Sequence, residues 1–123
     1  MFKKYLLIFV LLLGTVFITT AKLGAKMDNE VTQVRAQHIL VQTKDEAINL
    51  KQKIDSKEIT FEEAAKNYSK CPSGREGGDL GYYGRGMMVK EFEIASFDAP
   101  VGTVTDPVQT QFGWHLIKVV DKK

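Results

Sequence analysis

Two histidines and one cysteine are the strongest candidates for chemistry in this 123-residue chain: His38, Cys71 and His115. A thiol with two imidazoles can build a thiol-hydrolase site or a three-ligand metal site. Both need an orienting partner or a closed ligand set, and no acidic partner stands out beside either histidine. Two neutral imidazoles can also act as a hydrogen-bonding pair, each donating once and accepting once, which fixes their tautomers without adding charge. The single cysteine rules out an intramolecular disulfide and has no partner at zinc-site spacing. Its plainest role is a small buried hydrophobe, and either histidine taken alone would pass for a satisfied core residue. Six of the ten glycines fall in 72–86 (PSGREGGDLGYYGRG). The phosphate-cradling pattern G-x-x-x-x-G-K-[ST] is absent there, so the segment reads as loop and turn around a short strand near Leu80–Tyr83.

The elements that must position these groups follow from periodicity. From Val34 the sequence alternates, with Val34, Ala36, His38 and Leu40 on one face and Arg35, Gln37, Ile39 and Val41 on the other. Neither face is wholly polar, which predicts a central strand. Thr43 with Glu46, and Thr60 with Glu63, have the spacing of capping boxes. Ala47, Leu50 and Ile54 then keep helical spacing after the first, and Phe61, Ala64, Ala65 and Tyr68 after the second. Both helices are expected on one sheet face. A third helix fits 90–97, before Asp98-Ala99-Pro100 and a turn at Gly102. Two strand-like runs, Val104–Gln109 and Trp114–Val120, close the chain across Thr110–Gly113. In the last run His115, Ile117 and Val119 share a face. The pattern predicts an α+β domain with a mostly antiparallel sheet.

The N-terminus is of another kind. Lys3 and Lys4 precede an uncharged apolar run over 5–18, the pattern of a secretory signal or membrane anchor. The run continues without charge to Ala21, near the lower limit for crossing a bilayer. Residues 1–21 are therefore expected to be a signal peptide or N-terminal anchor, 22–33 a polar linker and 34–123 the folded domain, held outside the cytoplasm by the positive-inside tendency. No cysteine closely follows the apolar run, which argues against a lipid-modified terminus. Four of the 17 basic residues lie in this leader region, leaving 13 against 15 acids over 28–123. A near-neutral domain is a poor match for nucleic acid.

The ordered set of motifs resembles the parvulin-type family of peptidyl-prolyl cis/trans isomerases. The matching stretches are Ala36-Gln37-His38-Ile39-Leu40-Val41, Ser69-Lys70-Cys71-Pro72-Ser73, Gly77-Gly78-Asp79-Leu80-Gly81, Phe92 through Phe97, and Phe112-Gly113-Trp114-His115-Leu116-Ile117. They span roughly 35–121. The resemblance implies a parvulin-like (FKBP-like) four-stranded sheet with about three helices packed around it. It makes His38 and His115 the paired histidines of the site, with Cys71 facing the reacting bond and Thr110 in their hydrogen-bond network. Leu80, Met88 and Phe92 would line the proline pocket, with Phe112 at the substrate side. Val89 stands where some members carry glutamine, and Phe112 where others carry serine. Both changes make the site more apolar.

The resemblance also implies an activity without cofactor or metal. A peptide bond resists rotation by about 18–20 kcal/mol, and X-Pro bonds interconvert slowly. An apolar pocket that strips water from the carbonyl favours the twisted, less charge-separated amide, and differential binding of that state is catalysis. Expected partners are proline-containing polypeptides, unfolded or newly exported, with a domain expected to be monomeric. Phosphate-selective members carry a basic cluster after the first strand; here Gln42-Thr43-Lys44-Asp45 has one lysine beside an acid, so phospho-specificity is not expected. The alternative is a parvulin fold that holds peptides as a chaperone with an idle isomerase site.

Overall fold

In the computed structural model the described residues are 30–123. The expected leader over 1–21, and residues 22–29 of the expected linker, lie outside them. The element order is β1 (Gln33–Val41), α1 (Lys44–Asp55), α2 (Phe61–Tyr68), a 3-10 turn (Pro72–Glu76), β2 (Asp79–Gly84), α3 (Lys90–Asp98), β3 (Val108–Thr110) and β4 (Gly113–Lys122). The four strands form one sheet in the order β2-β1-β4-β3. Every pairing within it is antiparallel, so the expected α+β architecture is the one found.

β1 and β4 are the central strands, and their alternation divides the core in two. Ile39, Val41 and Leu116 point to one face, where they pack with Ala47 and Leu50 of α1 and with Phe61, Ala64 and Ala65 of α2. Val34, Ala36, Ile117 and Val119 point to the other, against Tyr83 of β2 and Phe92 and Phe97 of α3. Both early helices thus cover one face, as their apolar stripes predict, except that Tyr68 at the end of the second stripe is exposed. Each begins at a capping box: Thr43 Oγ1 accepts from the Glu46 amide while Glu46 accepts from the Thr43 amide, and Thr60 and Glu63 repeat the exchange. Two orphan amide donors are satisfied at each start.

Three elements differ from the sequence expectation. Within the segment read as loop and turn, the residues after Cys71 form a regular 3-10 turn, opened by Pro72 and closed by Gly77 in the left-handed region at φ 71°. Proline suits a first helical position because its missing N–H would be unpaired there anyway. The run expected as a strand over Val104–Gln109 pairs at Val104 only through an isolated bridge to Lys118, and β3 proper is Val108–Thr110. Pro107 cannot donate to a ladder, which confines regular pairing to the residues after it. α3 runs one residue further than expected, through Asp98.

β1 begins at Gln33, and Val31 already packs against the core. The amides of Thr32 and Gln33 both donate to the Lys123 carbonyl, at 2.9 and 2.8 Å, and the Lys123 amide donates back to Gln33 at 2.9 Å. The first and last residues of this sheet are therefore clamped to each other.

Candidate active site

His38 and His115 come together because of register. Across the β1–β4 ladder His38 sits opposite Ile117 and His115 opposite Leu40, so the two histidines are diagonal neighbours on one face. Their rings lie nearly parallel, with centroids 5.2 Å apart and an 18° interplanar angle. Phe92 from α3 closes over both, edge-on, at 5.4 and 5.2 Å between centroids. Only 5% of His38 and 4% of His115 remains exposed.

The polar atoms of this pair belong to a continuous chain. Thr110 Oγ1 lies 2.8 Å from His115 Nε2, and the two Nδ1 atoms are 3.1 Å apart. His38 Nε2 is 3.1 Å from Ser73 Oγ, which is 3.4 Å from Cys71 Sγ. The Phe112 amide donates to Thr110 Oγ1 at 3.1 Å. Donor counting gives the chain a direction. A backbone amide can only donate, and the Thr110 hydroxyl proton has one acceptor within reach, His115 Nε2. His115 then carries its proton on Nδ1 and donates to His38 Nδ1. His38 donates from Nε2 to Ser73, and Ser73 to the sulfur of Cys71. Every donor along this series from Phe112 to Ser73 has an acceptor.

This arrangement requires both rings to be neutral. Burial, reinforced by the neighbouring ring of His115, lowers the pKa of His38 to about 4. Burial alone also lowers that of His115. A proton added to His38 would go to Nδ1 and place two N–H groups face to face at the 3.1 Å contact, and one added to His115 would go to Nε2, against the Thr110 hydroxyl that donates there, with little water to screen either charge.

Beside the histidines opens a cavity of about 530 Å³, with Leu80, Met88, Val89 and Phe92 among its apolar walls. Leu80 reaches it because β2 bulges. Arg35 pairs with Tyr82, yet Gln37 pairs with Asp79, so one extra residue is accommodated at Leu80-Gly81. A bulge re-aims a side chain. The Asp79 carboxylate holds this one by accepting from the Gly81 amide and from Arg35, and Gly81 adopts φ 71°. Arg35 and the Gly81 amide keep the Asp79 carboxyl below its usual pKa. Gly78 serves the histidine directly: its carbonyl accepts from the His38 amide at 2.9 Å. A Cβ on Gly78 would meet the His38 carbonyl at 2.4 Å.

The residues singled out from sequence thus fall in two layers. His38, His115, Cys71, Leu80, Met88, Phe92 and Phe112 line the cavity. Thr110 does not; it is buried behind His115 and touches the cavity only through that ring. Phe112 stands at the mouth, 61% exposed. Sequence reasoning missed Ser73, the link between His38 and Cys71, and the lining residues Leu40, Lys70, Pro72 and Met87. The one available signal for Ser73 was a hydroxyl two positions after the cysteine on a proline-opened turn. Among the described residues no three His, Cys, Asp or Glu side chains gather as metal ligands.

Comparison with known proteins agrees with the fold. The sequence model of the PPIC-type PPIase domain matches residues 18–123. The foldase protein PrsA of Geobacillus kaustophilus is 47% identical over 107 residues, covering 86% of this chain and 38% of that protein. The crystal structure of the peptidylprolyl isomerase PrsA from Bacillus anthracis superposes with a TM-score of 0.73 at 42% identity, over 79% of this chain and 45% of that one. The solution structure of NmPin, the parvulin of Nitrosopumilus maritimus, gives 0.68 at 37% identity over 76% of this chain and all of that one. The chain spans well under half the length of the foldases it matches.

Proposed function

The chain belongs to the PPIC-type, or parvulin-type, peptidyl-prolyl isomerase family, and from that premise we propose that it accelerates cis/trans rotation of X-Pro bonds in exported or unfolded polypeptides and so assists their folding. The observation that carries this reading is the neutral histidine pair, buried at the floor of an apolar cavity and hydrogen-bonded through Ser73 to Cys71.

In this reading Leu80, Met88 and Phe92 take the proline ring. Their apolar surface removes water from the prolyl amide. The planar amide is the more charge-separated form, so a dry wall favours the twisted state over both planar ones. His38 and His115 do not exchange protons with substrate. They hold the cavity floor in one hydrogen-bonded arrangement, with Thr110 behind and Ser73 ahead as positioning residues. Cys71 stands at the end of the chain, its sulfur accepting from Ser73 and its own S–H left to face the peptide carbonyl. No covalent bond forms or breaks.

An extracytoplasmic setting, with 1–21 as signal or anchor and the domain working as a monomer, completes the proposal. The basic-then-apolar N-terminus and the likeness to proteins named foldases support it. Among the described residues no helix is long and apolar enough to cross a membrane.

The test is the rate of cis/trans exchange in X-Pro peptides with the full chain in mild detergent, against His38→Ala and Leu80→Ala. Acceleration weakened by both substitutions is expected. A folded protein that accelerates no peptide would overturn the reading. A second reading draws on one observation: Met87 and Phe112, 68% and 61% exposed, form an apolar rim suited to holding extended chains. A peptide-holding module would suppress aggregation of proline-free clients without accelerating any X-Pro rotation.

A further inference from the structure

Beside the catalytic cavity lies a second one of about 260 Å³, between α1 and the end of α2. Lys70 lines both. The backbone puts it there: the Lys70 amide donates to the Leu40 carbonyl at 2.7 Å, fixing the link after α2 against the end of β1. The second cavity differs in character from the first. Glu46, Asn49 and Lys53 fall at i, i+3 and i+7 on α1, so one polar stripe of that helix forms one wall. Asn67 and Tyr68 face it from α2, and Tyr68 is 47% exposed.

Its charges are unequal. Glu46, whose Oε1 accepts from the Thr43 amide and hydroxyl at 3.1 and 3.2 Å, sets one negative charge against the two positive charges of Lys53 and Lys70. Lys53 and Lys70 have no ion pair among the described residues, whereas Lys44 nearby lies over the Trp114 ring. Two free ammonium groups, two side-chain amides and an exposed aromatic face suit an extended peptide carrying a carboxylate. The amides can serve its backbone, the ring its non-polar stretches and the lysines its acid.

We propose that this second cavity is a subsite for the client chain flanking the proline, and that Lys70 and Lys53 make it selective for an acidic residue there. The proposal rests on the isomerase reading and extends it from the proline ring to its neighbours. A preference of this kind differs from phosphate recognition, since neither lysine offers the bidentate fork of arginine. The two lysines act as point charges at a solvated rim, so the gain is modest and falls with salt.

The experiment uses the full chain and peptides built around one Ala-Pro, with a glutamate or an isosteric glutamine placed at successive positions on either side of the proline. The readout is the ratio of kcat/KM for each Glu and Gln pair. At one or two positions the ratio is expected to reach about two- to fivefold, the range for exposed charge pairs. It should shrink at high salt, fall towards one in Lys70→Gln and in Lys53→Gln, and invert in Lys70→Glu. Because each ratio is taken within one variant, a general loss of activity does not mimic the effect. Acceleration of Ala-Pro with ratios of one at every position would overturn the subsite and leave the isomerase reading standing. Ratios that persist unchanged in both lysine variants would overturn it equally. Acceleration of no peptide at all would remove both together.

Discussion

The two faces of the sheet are built by the same two strands and differ by a single step along each. Ile39 and Leu116, directly paired, pack with apolar residues of α1 and α2. One residue earlier on each strand, His38 and His115 put four ring nitrogens on the opposite face, beside Phe92 and an open cavity. Because side chains alternate with period two, the register that buries the first pair also presents the second. Fixing one face fixes the other. The apolar face supplies stability, and the histidine end of the other face spends some of it on a polar network that an apolar core would not need.

The largest expected effect breaks that division on its stable side. Leu116→Ala should cost about 2–5 kcal/mol, the range for a fully buried leucine, while the folded fraction keeps its kcat/KM. Denaturant unfolding paired with peptide exchange at equal folded concentration checks both halves. If activity fell in proportion to stability, the faces would not be separable.

Acid acts on the other side. His38 has a folded pKa of about 4, below the 6.5 expected when unfolded. The unfolded chain therefore takes up the proton first as pH falls. Stability is fully present above about pH 6.5 and declines down to about pH 4, by roughly 3 kcal/mol at most for a shift of this size. His115, lowered by burial too, adds loss in the same direction. Activity should stay level through neutral pH and fall only as the pair takes up a proton. Melting curves across this range should show the decline, and Leu substitution of His38 should flatten it.

Ser73→Ala is expected to cost about 1 kcal/mol, since it leaves the His38 Nε2–H without its acceptor. Catalysis should drop about fivefold by the same measure, with kcat affected more than KM because the substitution disturbs the floor and not the ring pocket. Smallest of all is Phe112→Ala, whose exposed ring should change stability by no more than about 0.5 kcal/mol. Its effect belongs in KM for longer peptides. An equal loss in kcat would move Phe112 from the rim into the reacting centre.

The parts of this comparison were unequally visible in the sequence. The alternation from Val34 to Val41 showed which residues share a face, and the boxes at Thr43 and Thr60 marked where both early helices start. What alternation cannot show is which strand lies beside which, and the order β2-β1-β4-β3 depends on pairings between residues far apart in the chain. The regular 3-10 form of the turn at Pro72–Glu76 escaped because a single 3-10 turn has no hydrophobic period to detect. Ser73 escaped with it, since its partner His38 is 35 residues away. The expected strand at Val104 failed for a local reason, Pro107. Leu80 could be assigned to the pocket only through family resemblance, because its direction is set by a bulge that Asp79 and Gly81 hold open.

The clamp between Thr32, Gln33 and Lys123 has a mechanical meaning. Both ends of the sheet leave from the same point, so tension between them would peel β1 from β4 one bond at a time instead of shearing the ladder all at once. Unzipping would start at the Val34–Lys122 pair and reach the Leu40–His115 pair near its close. Under a weak pull the ends would yield first, and the histidine pair would be among the last contacts to part.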